Sequence, residues 1–162
     1  METRIYVDGR ITPPEEAVVP VLDRGFLLGD SVYEVLWWHR GILVQEREHL
    51  ERLEESGRRL YLDLQASREE LGGAVRRTVE SAGVRSDEDA YVRLIVTRGR
   101  APLGLDVTQA TRRSMVVIVA PARRPDRETW ERGLRVAVVA RRRNPTVALD
   151  PGAKTGNYLN NV

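Results

Sequence analysis

The sequence predicts an α+β fold: a small domain of mainly antiparallel strands with two helices on one side, then the first part of a second domain. Three observations predict it. Short runs rich in β-branched and aromatic residues are separated by Gly- and Pro-marked turns. Two consecutive segments switch to the helical period. A charged, Pro-marked connection then leads into a further apolar run.

Residues 4–7 (RIYV) read as a strand, Asp8-Gly9 as a tight hairpin turn, and Ile11 as the return. Residues 13–22 are Pro-punctuated and irregular. Residues 23–30 (DRGFLLGD) read as a loop with Gly at positive φ and Asp30 capping a turn. Residues 31–38 form a strand, with Tyr33 facing the opposite side from Val32; Arg40-Gly41 is its turn and 42–44 the returning strand. Over 46–62, Leu50, Leu53 and Leu60 fall on one helical stripe. A second helix runs from an N-cap at Ser67, with Glu70 three residues on, to Ala82, with Gly83 just past its end. Residues 91–97 and 115–120 are apolar strands, and 134–140 a further one. Residues 143–153 form a loop, and TGNYLNNV after Lys154 looks like the opening of a helix. The domain reading is 1–121, a linker over 122–133, and the truncated start of a larger domain over 134–162, so the chain is expected to be incomplete.

Composition excludes several classes. Hydrophobic residues at 41% suffice for a core, and a net charge of +2 gives no electrostatic case for nucleic acid. With no cysteine there is no disulfide framework or thiolate metal site, and two histidines are too few for most metal centres. No apolar run approaches the ~20 residues of a membrane span, and the N-terminus carries no signal-peptide pattern. The expected location is the cytoplasm. Phosphate-loop, dinucleotide-binding and zinc-protease motifs are absent.

Of 26 Lys and Arg residues, only Lys154 is lysine. Arg and Lys are interchangeable as charges but not as chemistry. A guanidinium stays protonated, while a lysine amine loses its proton when buried or crowded by cations and can then form a Schiff base. Three other segments carry candidates with two readings each. In EREHLERL, His49 and Arg52 share a helical face. They either form a solvated ion-pair face with Glu48 and Glu51, or Arg52 serves a phosphate, whose oxygens match its fork. Arg93, inside an apolar strand, is either an edge-strand gatekeeper or an Arg aimed into a pocket to bind a carboxylate. Leu103 and Leu105, on a Gly/Pro loop, either pack locally or contact a ligand.

Taken in order, DRGFLLGDSVYEV, EHLERL, YVRLIVTRG with PLGLD, RNP and AKTGNYLNN resemble the class IV (fold type IV) pyridoxal-phosphate-dependent aminotransferases across nearly the whole chain. The branched-chain amino acid aminotransferases are the subgroup resembled most and the D-amino acid aminotransferases the next. The resemblance implies pyridoxal 5′-phosphate as cofactor, Lys154 as the Schiff-base lysine and catalytic base, Arg52 on the cofactor phosphate, and Tyr158 on the pyridine-ring hydroxyl. It implies that Tyr33, Arg93, Leu103 and Leu105 meet the substrate. It also implies that residues 134–162 open a cofactor-binding domain, and that a homodimer shares the 100–106 loop between subunits. The implied reaction is transamination between an apolar, branched-chain-like amino acid and a 2-oxo acid such as 2-oxoglutarate. Alternatives are a D-amino acid or (R)-amine transaminase, an aminodeoxychorismate-lyase-like β-elimination, or an inactive fragment. The absence of an Arg-x-His trap in the 100–106 loop resembles the branched-chain side. Tyr33-Glu34-Val35 and the pair Trp37-Trp38 depart from it. A family Glu that pairs with the pyridine nitrogen lies downstream of the last residue here.

Overall fold

The computed structural model describes every residue except Arg141, together with all side chains but those of Arg141 and Asn161. The strands are β1 (Arg4–Val7), β2 (Arg10–Thr12), β3 (Ser31–His39), β4 (Ile42–Leu43), β5 (Asp89–Thr97) and β6 (Met115–Pro121). The helices are α1 (Arg24–Leu28), α2 (Glu46–Arg59), α3 (Arg68–Ser81) and α4 (Arg127–Arg132). The strands form one sheet in the order β2-β1-β6-β5-β3-β4, every neighbouring pair antiparallel. The expected α+β class is therefore what the chain adopts.

The β1–β2 hairpin turns through Asp8 and Gly9 at φ 48° and 107°, the left-handed pair that matches strand twist. α2 and α3 cover one sheet face because their apolar stripes meet the alternate residues of the strands. Leu50 and Leu53 of α2 and Leu71, Val75 and Val79 of α3 pack on Val32, Leu36, Val92, Leu94, Val96, Val117 and Val119. Ser67 caps α3 with a reciprocal capping box to Glu70. Leu71→Ala removes a fully buried side chain from the centre of this layer. It is expected to cost about 2–5 kcal/mol, read as a lowered midpoint in denaturant unfolding.

Four expectations are corrected. α2 stops at Arg59, three residues early, because the amide of Leu62 bonds back to the carbonyl of Gly57 and turns the chain away. Residues 23–30 are not simply a loop. Asp23 accepts a hydrogen bond from the Gly25 amide at 2.7 Å and starts the short helix α1, while Asp30 receives guanidinium bonds rather than capping a turn. Residues 134–140 form no strand: they have no hydrogen-bonded neighbour among the described strands, and Leu134, Val136 and Val138 stand exposed. After Lys154 the chain does not enter an α-helix, and only a 3-10 turn, Leu159–Asn161, follows. No helix among the described residues is long and apolar enough to cross a membrane.

Asp30 ties α1 to the sheet. Its carboxylate accepts Arg24 Nε at 2.9 Å and Arg98 Nε at 2.8 Å. Arg98 also donates to the carbonyls of Leu60 and Tyr61 at the end of α2, and Arg24 to the carbonyl of Gly104. Burial pushes the Asp30 carboxyl up, but the bonds and charges of Arg98 and Arg24 together hold it below its ordinary 3.8. A carboxyl lowered in the folded state adds stability that is fully present above 3.8 and is lost as pH falls through the lowered folded value. An acid titration of thermal stability should show this loss, and Asp30→Asn should remove that part of the slope.

Candidate active site

The site is assembled at the N-terminal end of β3. Strand alternation turns Val32, Glu34 and Leu36 toward the helices and Tyr33, Val35 and Trp37 toward the other face. Residues 153–156 run back along β3. The Tyr33 amide donates to the Lys154 carbonyl at 3.0 Å, and the Gly156 amide to the Ser31 carbonyl at 2.8 Å. The Lys154 amide donates to Ser56 Oγ of α2 at 3.1 Å. The lysine backbone is thus held by strand and helix at once. Gly29 permits this approach. It ends α1 at φ 68°, and a Cβ there would sit 3.1 Å from the backbone of Asn157.

Lys154 Nζ lies 4.4 Å from the centre of the Tyr33 ring. The Tyr158 ring meets Tyr33 edge-on at 6.1 Å, and Arg93 Cζ stacks 4.1 Å from the Tyr33 ring centre. One phenol therefore gathers Lys154, Tyr158 and Arg93. The spacing of four residues between Lys154 and Tyr158 suggested a shared helical face; the structure brings them together through Tyr33 instead, without a helix. Arg93 is not an edge-strand gatekeeper, since β5 is flanked by β6 and β3. Its Nε is buried with no hydrogen-bond partner among the described residues.

Arg52 lines a cleft of about 270 Å³ together with Lys154, Tyr158, Arg143, Asn144 and Asp150. It does not join Glu48 or Glu51. Its Nε and Nη2 fork onto Glu34 at 2.5 and 2.6 Å, and His49 Nδ1 reaches the same carboxylate at 2.9 Å. Glu34 is 0% exposed, so its charge needs these partners. Burial pushes the Glu34 carboxyl up, but Arg52 and His49 together bring it below the ordinary carboxylate value. Leu103 and Leu105 take no part in the cleft and stand 79% and 80% exposed.

Sequence reasoning missed Glu34, Ser56 and the cleft's Arg143 and Asn144. Glu34 carried a readable signal: a carboxylate between Val32 and Leu36, on the buried side of an alternating strand, needs a buried cation. Arg143 and Asn144 lay in the RNP segment of the resemblance but were given no role, and Ser56 carried no signal, because only the tertiary path of residues 143–158 brings them near Lys154.

The sequence model of the amino-transferase class IV family matches residues 31–162. The chain is 35% identical over 159 residues to a putative branched-chain-amino-acid aminotransferase of Methanocaldococcus jannaschii, covering 98% of this chain and 53% of that protein. It is 30% identical to a D-alanine aminotransferase of Bacillus licheniformis, covering 77% of this chain and 43% of that one. The crystal structure of a T.th. branched-chain amino acid aminotransferase, complexed with N-(5′-phosphopyridoxyl)-L-glutamate, superposes with a TM-score of 0.83 at 25% identity. That match covers 97% of this chain and 51% of the other. The chain spans about half the length of the relatives it matches. With the family match running through both β3 and Lys154, the chain belongs to the class IV aminotransferases.

Proposed function

We propose that the protein is a pyridoxal-phosphate-dependent transaminase moving an amino group between an apolar, branched-chain-like amino acid and a 2-oxo acid such as 2-oxoglutarate. The observation that carries the reading is the placement of the chain's one lysine. Lys154 is held by β3 and by Ser56 on a cleft that Arg52 also lines. An amine that can form an imine and a guanidinium whose fork matches phosphate oxygens line one cavity, so the residues present fit a phosphorylated aldehyde. The phosphopyridoxyl ligand of the solved relative supports the same choice.

In this reading Lys154 is the attachment point and Arg52 holds the phosphate, while Tyr158 faces the ring hydroxyl. When bound, the cofactor supplies an electron sink for the carbon that loses its proton. Lys154 Nζ is the group that takes up and returns the substrate's Cα proton. Tyr33 limits where that nitrogen can swing. Arg93, stacked on the Tyr33 ring beside Lys154, binds a substrate carboxylate. We assign residues 1–121 to a small domain, 122–133 to a linker that includes α4, and 134–162 to the opening of a cofactor-binding domain. Exposed Leu103 and Leu105 on one loop, with exposed Val21 and Phe26 on the chain segment bonded to it, support a homodimer in which that loop reaches the neighbouring subunit.

A second reading, transfer from D-amino acids, is favoured by the D-alanine aminotransferase relative. Incubation of the full-length protein with 2-oxoglutarate and either L-leucine, L-valine or D-alanine decides between them. Glutamate formed with the L-donors supports the first reading. Turnover restricted to D-alanine replaces it with the second, and no turnover with any donor sinks both.

A further inference from the structure

We infer that Glu34 is a positioning residue that aims Arg52 at the cofactor phosphate from beneath the cleft. The inference deepens the proposed function and rests on Arg52 being the phosphate ligand. Three observations carry it. Glu34 is fully buried on β3, an interior strand paired with β5 and β4, so packing and pairing hold its carboxylate in place. Arg52 is 55% exposed at the side chain, so without an anchor its long stem is free to turn into solvent. The fork uses Nε and Nη2, and among the described residues Nη1 makes no hydrogen bond. Glu34 therefore fixes the guanidinium plane by one edge and leaves the other edge for the cleft.

His49 completes the arrangement. Its Nδ1 lies 2.9 Å from Glu34 and 3.2 Å from Arg52 Nη2. A ring nitrogen that donates to Glu34 cannot also accept from Arg52, so the carboxylate is the partner that orients the imidazole. Glu34 thus receives from both basic groups and hands the phosphate a single preset orientation of Arg52. Two effects oppose each other. The negative charge of Glu34 repels a phosphate, and its grip pre-orients the phosphate's ligand. Orientation is the larger effect here, because a guanidinium more than half exposed on a helix has no other carboxylate anchor among the described residues.

The test compares pyridoxal 5′-phosphate with unphosphorylated pyridoxal, each titrated into the full-length protein and followed by visible absorbance. Glu34→Gln is expected to weaken the phosphorylated compound about 10–100-fold, the usual cost of losing an orienting outer partner. Affinity for pyridoxal should stay unchanged, and the loss should persist at high salt. A general structural defect would weaken both compounds alike, and that result overturns the inference. So does Glu34→Gln binding the phosphorylated compound as tightly as the unaltered protein, or more tightly. Glu34→Asp keeps the charge but is one methylene too short to grip both nitrogens. It should show the same selective loss, and it carries the test if Glu34→Gln does not fold. Arg52→Ala separates the two readings. If it removes the preference for the phosphorylated compound while the Glu34 variants keep it, only the positioning inference falls. If Arg52→Ala also keeps that preference, the phosphate reading falls with it.

Discussion

Lys154→Ala abolishes both turnover and the visible absorbance that pyridoxal 5′-phosphate acquires on the protein, and borohydride no longer fixes a mass adduct. The expected loss of rate is at least ~10²–10⁴-fold, the share of a positioned general base alone. Loss of the covalent attachment adds to it. Lys154→Arg is the sharper variant. It keeps the cation over the Tyr33 ring and the backbone ties to β3 and Ser56, so the fold should survive. It should be as inactive as the alanine variant, because a guanidinium neither forms an imine nor gives up its proton. A borohydride-stable adduct surviving in either variant would place the imine on another residue and overturn the assignment.

Arg52→Ala should have two separable effects. Losing a charged hydrogen bond to the phosphate costs about 1.5–3 kcal/mol, or roughly tenfold to a hundredfold in cofactor affinity. Losing the fork also strands Glu34, which is 0% exposed, with His49 as its remaining basic partner among the described residues. Removing one member of a buried ion pair typically costs about 3–5 kcal/mol. The half-exposed position of Arg52 puts the expectation at the lower end. Cofactor titration reads the first effect and denaturant unfolding of the cofactor-free protein reads the second. Arg52→Lys should recover most of the stability but little of the affinity, since an ammonium cannot fork onto Glu34 and present a second edge to the cleft. If Arg52→Ala changes stability alone, Arg52 is an internal counter-ion and no phosphate ligand.

The local signals and the tertiary structure answered different questions. The Asp8-Gly9 hairpin, the Ser67 capping box and the Leu stripes of α2 and α3 were legible because each depends on residues within a few positions of one another. Lys154 stood out for a chemical reason: in a chain with 25 arginines, it is the one basic side chain able to form an imine. The apolar run at 134–140 was misread as a strand because β-branched composition gives only a tendency, while a strand exists by hydrogen bonds to a neighbour. The expected helix after Lys154 failed because the Lys154 carbonyl and the Gly156 amide bond to β3 instead of to a following turn.

The sequence by itself determined the α+β class, the long strands and the two helices that cover the sheet, and it singled out Lys154 as the one amine side chain. Only the tertiary structure decided what surrounds that amine. It showed that Tyr33 gathers Lys154, Tyr158 and Arg93, that Arg52 answers to Glu34 rather than to its helix neighbours, and that Arg93 sits on an interior strand. The physical reason is one of range. Helix periods, caps and turns are set by neighbours along the chain. A buried charge finds its partner, and an amine its cleft, only when segments about a hundred residues apart are packed side by side, as Ser56 and Lys154 are.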